Sequence, residues 1–172
     1  EAEQGLNVAR NTIMLLGWPN TVPGETINRF CSSGVQAIAH AAQAIQVGMI
    51  DIAVAGGVES MSMVPMGGNK VSLNPKLSDR FPEAYISMGH TAERVAQRFG
   101  ITREHQDKFA LNSQAKAKAA LAASRMREEI VTLKARRFEG GAVQEFDFAV
   151  DECPRPDTTL DGLGSLKPSF SM

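Results

Sequence analysis

The stretch Asn28-Arg29-Phe30-Cys31-Ser32-Ser33-Gly34-Val35-Gln36 constrains this chain most, because an extended approach there runs directly into a helix made of small residues. Thr26 to Phe30 suits a strand, with Ile27 as its β-branched apolar member and Gly24 as the turn before it. From Val35 the positions Val35, Ile38, Ala42 and Ile45 recur at helical spacing, alanines fill the gaps, and Gly48 ends the run. Cys31 then falls at or just before the helix N-terminus. Unpaired N–H groups and the positive dipole end favour a thiolate over a thiol at such a place, and a thiolate attacks carbonyl carbon. The Cys31 backbone N–H points the right way to help hold the oxyanion of a bound carbonyl. Against this stands the reading of a lone cysteine as a small buried hydrophobe.

Around that corner the chain alternates. Leu6, Ala9, Ile13 and Leu16 form one face of a helix stopped by Gly17, and Trp18-Pro19-Asn20 with Pro23-Gly24 make the loop into the strand. Ile50 to Ala55 is a β-branched run ending in Gly56-Gly57, as a buried strand would. Helix, strand, helix, strand is an α/β pattern with parallel pairing. No GxGxxG or Walker pattern accompanies Gly56 and Gly57, so close backbone packing is their better reading.

Beyond Ser60 periodicity weakens. Met61, Met63 and Met66 read as core packing, with a pocket lining as the functional option. Ala92, Val95, Ala96 and Phe99 form a helical face closed by Gly100. Thr102 caps a helix to about Ser124, with Phe109, Ser113, Ala117, Ala120 and Leu121 on one side. Ile130 to Phe138 and Val143 to Val150 flank Glu139-Gly140-Gly141-Ala142 as a β-hairpin, and Pro154, Pro156 and Pro168 favour a laid-out loop.

Composition excludes several classes. With 172 residues, 43% hydrophobic content and a net charge of -1, the chain makes one domain or parts of two. Positive charge is spread out apart from Arg136 and Arg137, which argues against nucleic acid and against a polybasic membrane arm. No apolar run reaches membrane-spanning length. Cys31 and Cys153 lie far apart without a CxxC pattern, which argues against a disulfide scaffold or a zinc site and for a reducing compartment. No metal is expected.

Asn28-x-x-Cys31-x-Ser33-Gly34 and Ala55-Gly56-Gly57-Val58-Glu59-Ser60-Met61-Ser62 together resemble the active-cysteine region of thiolases. Met88-Gly89-His90-Thr91-Ala92-Glu93, Gly100-Ile101-Thr102-Arg103 to Ala110, and Thr159-Leu160-Asp161 through Phe170 extend the likeness along the chain. The resemblance implies a thiolase-like layered α/β fold. Residues 1–60 would be part of the N-terminal thiolase-fold domain, and 61–172 an inserted α+β loop domain covering coenzyme A. The C-terminal half would be absent, and with it a Gly-His-Pro histidine and a second cysteine in Cys-x-Gly-Gly, which have no counterpart among His40, His90, His105 and Cys153.

By the same likeness Cys31 is the nucleophile of an acyltransferase that cleaves 3-oxoacyl-CoA with CoA, giving acetyl-CoA and a shortened acyl-CoA. Met88 matches a family methionine beside the thioester, Ser87 stands where several acetoacetyl-CoA thiolases have histidine, and His90 lies in the same segment. Arg155, Leu166 and Phe170 fall where the family holds the adenine and pantetheine of CoA. His40 reads as a satisfied core histidine, and His105 and the basic residues of 125–137 as surface. The alternatives are an acetyl-CoA acetyltransferase, which condenses two acetyl-CoA, and a non-catalytic acyl-CoA-binding or scaffold protein derived from a truncated thiolase. Coenzyme A is expected as co-substrate with no permanently bound cofactor. A homodimer or homotetramer is implied, in a bacterial cytoplasm, with mitochondrial and peroxisomal settings left open.

Overall fold

The computed structural model describes residues 5–170, and the chain divides into two units, residues 1–75 and residues 76–172. In the first, α1 (Val8–Leu15) begins at Asn7, whose side chain accepts the Arg10 N–H at 3.1 Å. The same Asn7 donates through Nδ2 to the Gly24 carbonyl at 2.8 Å and accepts from Thr26 Oγ1 at 2.7 Å. Arg10 adds bonds to the carbonyls of Val22 and Asn20. The return loop is thereby laid against α1 so closely that a Cβ on Gly24 would stand 2.6 Å from the Arg10 nitrogen. Glycine is needed there for space.

A 3-10 turn over Phe30–Ser32 leads into α2 (Ser33–Gln46). The expected helix is present, starting two residues before Val35. The expected strands are not. Thr26–Phe30 and Ile50–Ala55 carry no ladder, and Ile52 and Val54 stand 85% and 86% exposed. A parallel strand exists only where neighbours take up its N–H and C=O groups and layers cover both faces, and among the described residues none reach these runs.

In the second unit α3 (Pro75–Arg80) precedes α4 (Met88–Phe99) and α5 (Arg103–Ala122). Ser87 caps α4 by accepting the His90 N–H, and Thr102 caps α5 by accepting the His105 N–H, both at 3.3 Å. β1 (Leu133–Glu139) and β2 (Ala142–Phe148) pair antiparallel from Leu133↔Phe148 to Glu139↔Ala142. Gly140 and Gly141 connect them with φ of 61° and 83°, the positive pair that a two-residue type I′ hairpin demands. α6 (Leu160–Gly164), capped by Thr159, occupies a stretch expected to be loop.

Burial departs most from expectation. Among the described residues only Ile13 is buried, whereas the expected core residues Leu6 and Phe109 are 94% and 78% exposed. Met61, Met63 and Met66 do not pack, and His40 is exposed instead of enclosed. The accessible surface is 15002 Å², against about 8,200 Å² for a folded chain of this mass. Many apolar side chains of the helices, among them Val35, Ile38, Phe99 and Phe109, are therefore exposed.

Candidate functional site

The first unit presents Cys31 at a braced corner. Asn28 Oδ1 accepts the Phe30 N–H at 2.8 Å. Ser33 Oγ accepts the Arg29 N–H at 2.8 Å and donates to the Phe30 carbonyl at 2.7 Å. The two polar residues of the Asn28-x-x-Cys31-x-Ser33 pattern thus tie the backbone on either side of the cysteine. Phe30 is held at φ 49°, a left-handed conformation that costs a non-glycine residue on the order of 1–2 kcal/mol and stays only where its surroundings enforce it. Cys31 follows, exposed, and its N–H meets no acceptor among the described residues. Exposed sulfur, a free N–H and the start of α2 are the parts that attack on a carbonyl requires. Cys31 is not enclosed by the described residues of this chain. Gly57 lies beside Gly34 at the start of α2, where an added Cβ would stand at an ordinary contact distance of 3.6 Å from its Cα, and Gly56 has open space, so neither glycine is required here for close backbone packing.

The second unit gathers the other expected residues in two places. At the start of α4, Ser87 Oγ meets His90 Nδ1 at 2.7 Å, and the His90 ring stands edge-on to Phe170 with centroids 5.8 Å apart. Phe170 presses on Gly89, where an added Cβ would lie 2.5 Å from its ring carbons. Ser87, His90 and Phe170 therefore form one cluster, and Ser87, expected as a substrate contact, also serves as the helix cap. Met88, 74% exposed, borders an apolar groove between α4 and α5 that includes Ala92, Val95 and Ile101.

Arg155 and Leu166 share a cleft of about 220 Å³ whose wall runs through Thr158, Thr159 and Leu163. That volume suits a ring or a phosphate group, not a whole coenzyme. Reading of the sequence missed the residues behind this wall. Gln114 of α5 accepts the Arg155 N–H at 2.7 Å. Arg103 donates to the carbonyls of Leu163 and Leu166 while its Nε meets Asp107 at 2.8 Å. Asp107, Ala110, Leu111, Gln114, Ala117 and Ala120 are half-buried, so the packed face of α5 keeps Ala117 and Ala120 of the expected side but turns toward Asp107 and Gln114 and leaves Phe109 and Ser113 exposed. A polar residue at helical spacing among alanines is the signal that could have found it.

His40 and His105 are exposed, as is Cys153. No cluster of three or more metal-ligating side chains occurs among the described residues, and no helix among them is long and apolar enough to cross a membrane.

A mixed helix-and-strand chain with a braced cysteine corner and a proline-flanked cleft matches one family along its whole length: the model for "Thiolase, N-terminal domain" covers residues 1–172. The chain belongs to the thiolase family. Among its relatives, a 3-ketoacyl-CoA thiolase of Bacillus subtilis is 50% identical over 177 residues, covering 100% of this chain and 45% of that protein. A 3-ketoacyl-CoA thiolase of Pseudoalteromonas translucida is 44% identical over 170 residues, covering 98% of this chain and 42% of the relative. The crystal structure of the Bacillus anthracis acetyl-CoA acetyltransferase superposes with a TM-score of 0.78 at 36% identity, covering 99% of this chain and 45% of that one. The chain spans less than half the length of these relatives, and its fold is that of a thiolase N-terminal domain.

Proposed function

We propose that this chain supplies the nucleophile and the coenzyme-covering part of a 3-ketoacyl-CoA thiolase. The observation that carries the reading is Cys31, exposed at a strained, hydrogen-bonded turn into α2 in a chain that belongs to this family. The Cys31 thiolate attacks the 3-keto carbon of a 3-oxoacyl-CoA, and the Cys31 N–H helps hold the negative charge that develops on oxygen. The bond between C2 and C3 breaks. Its electron pair stays on the acetyl-CoA fragment, which takes up a proton, and the shortened acyl group remains on sulfur as a thioester. The CoA thiol, losing its proton, then attacks that thioester and returns the Cys31 thiolate.

Residues 1–60 would belong to the N-terminal thiolase-fold domain and 61–172 to a loop domain over the coenzyme. There Met88, Ser87 and His90 border the thioester, while Arg155, Leu166 and Phe170 receive the adenine and pantetheine. A guanidinium suits stacking on adenine or facing phosphate, which fits the size of the Arg155 cleft. The base histidine and second cysteine lie outside these 172 residues. The protein would use CoA as a substrate with no resident cofactor and act as a homodimer or homotetramer. The Bacillus anthracis neighbour keeps the acetyl-CoA acetyltransferase reading alive, and Ser87, in place of that group's histidine, favours the 3-ketoacyl reaction.

CoA-dependent cleavage of a 3-oxoacyl-CoA tests this. The full-length protein carrying the chain should turn over and its Cys31→Ala variant should not, while the 172-residue chain alone should be inactive. Undiminished turnover by Cys31→Ala would refute the assignment.

A further inference from the structure

We infer that α5 is the template for the coenzyme cleft, with Gln114 and Arg103 as positioning residues that hold the two ends of its wall. The inference rests on the coenzyme reading of Arg155 and Leu166 and adds residues that reading does not use. The wall runs from Arg155 to Leu166, in a segment with prolines at 154, 156 and 168 and a helix, α6, only five residues long. Such a segment has little structure of its own to set the direction of the Arg155 side chain. Its two ends are nevertheless tied to one straight element. Gln114 Oε1 takes the Arg155 N–H at 2.7 Å, across 41 residues of sequence. Arg103 reaches 60 and 63 residues onward to the carbonyls of Leu163, which also accepts the Leu166 N–H at 3.1 Å, and of Leu166, which lies just past the end of α6.

The spacing on α5 makes this a matched pair. Arg103 and Gln114 are separated by about three helical turns, so both project on nearly the same face, roughly 16 Å apart along the axis. Asp107 lies between them on that face, its side chain 14% exposed, and its 2.8 Å bond to Arg103 Nε fixes the plane of the guanidinium. The planar fork leaves both terminal nitrogens pointing at the two carbonyls, a division of bonds that a lysine cannot reproduce. Each clamp acts on backbone, so it sets where the wall's side chains stand without touching them.

The test is the KM for CoA in 3-oxoacyl-CoA cleavage by the full-length protein, read beside hydrogen exchange at the Arg155 amide. Gln114→Ala should raise the KM for CoA about 2- to 10-fold, the loss expected of one hydrogen bond, with kcat at saturating CoA unchanged and the Arg155 amide exchanging faster. Gln114→Glu keeps an acceptor and should restore both readouts. Arg103→Lys should also raise the KM for CoA with kcat unchanged. An unchanged KM in Gln114→Ala with a faster Arg155 amide would overturn the positioning role and leave the coenzyme reading standing. Equal behaviour of the Ala and Glu variants would overturn it too. A parent protein whose rate does not depend on CoA at all would remove the coenzyme reading and this inference with it.

Discussion

The ring of Phe170 rests on the backbone of Gly89 so closely that any side chain at 89 would displace it: an added Cβ meets three ring carbons at 2.5 Å. Two effects of opposite sign compete in Gly89→Ala. Alanine favours a helix over glycine by up to about 1 kcal/mol, while overpacking costs about 1–3 kcal/mol. The clash should win, and urea unfolding should show Gly89→Ala destabilised. In a Phe170→Ala background the same change should become neutral or stabilising, because only the helix term remains. Destabilisation of equal size in both backgrounds would exclude the contact as the cause.

What could be read from the residues alone divides along a physical line. Elements that satisfy their own backbone were legible: α2 and α5 from their periodicity and caps, the hairpin from Gly140-Gly141 between alternating runs. Ile50 to Ala55 was misread because a strand is made by its neighbours, and this chain spans less than half of its relatives' length. The packed face of α5 was legible at Ala117 and Ala120 but not at its start, because hydrophobic patterning selects Phe109, whereas Gln114 meets the wall and Asp107 holds Arg103 through hydrogen bonds. α6 was hidden by the glycines and prolines around it, although Thr159 stands where its cap belongs. The Asn28-to-Gly34 motif singles out Cys31, and the bracing of a left-handed Phe30 by Asn28 and Ser33 is visible only in the folded chain.

Glu104 and Lys108 offer a pH-dependent readout on the exposed flank of α5 beside Asp107. The hydrogen bond from Lys108 Nζ at 2.7 Å, with the charge of that ammonium, holds the Glu104 carboxyl below its ordinary range. A carboxyl shifted down on folding adds stability above its unfolded value, and that stability is lost as pH falls through the folded one. Both groups are well exposed, so the effect on stability should be small. Carbon-detected titration should nevertheless place Glu104 below the other exposed glutamates, and Lys108→Ala should return it to their range. No change in Lys108→Ala would contradict the pair.

The two cysteines provide an internal control. Cys31 and Cys153 are both exposed, so a reagent in solution can reach either. Cys31 stands on the braced 3-10 turn that leads into α2, while Cys153 lies between Glu152 and Pro154 in a segment without helix or strand. Iodoacetamide at neutral pH should therefore modify Cys31 well before Cys153, as followed by peptide mass. Asn28→Ala, which unties the corner, should narrow the gap. Equal or reversed labelling in the parent chain would count against the helix-start effect.

The most direct measurement is the mass of the Cys31 peptide after brief exposure of the full-length protein to a 3-oxoacyl-CoA without free CoA. An added mass equal to the shortened acyl group on that peptide, discharged by CoA and absent in Cys31→Ala, is the predicted result. Cleavage that proceeds with Cys31 unmodified, or an acyl group trapped on another residue, would contradict it.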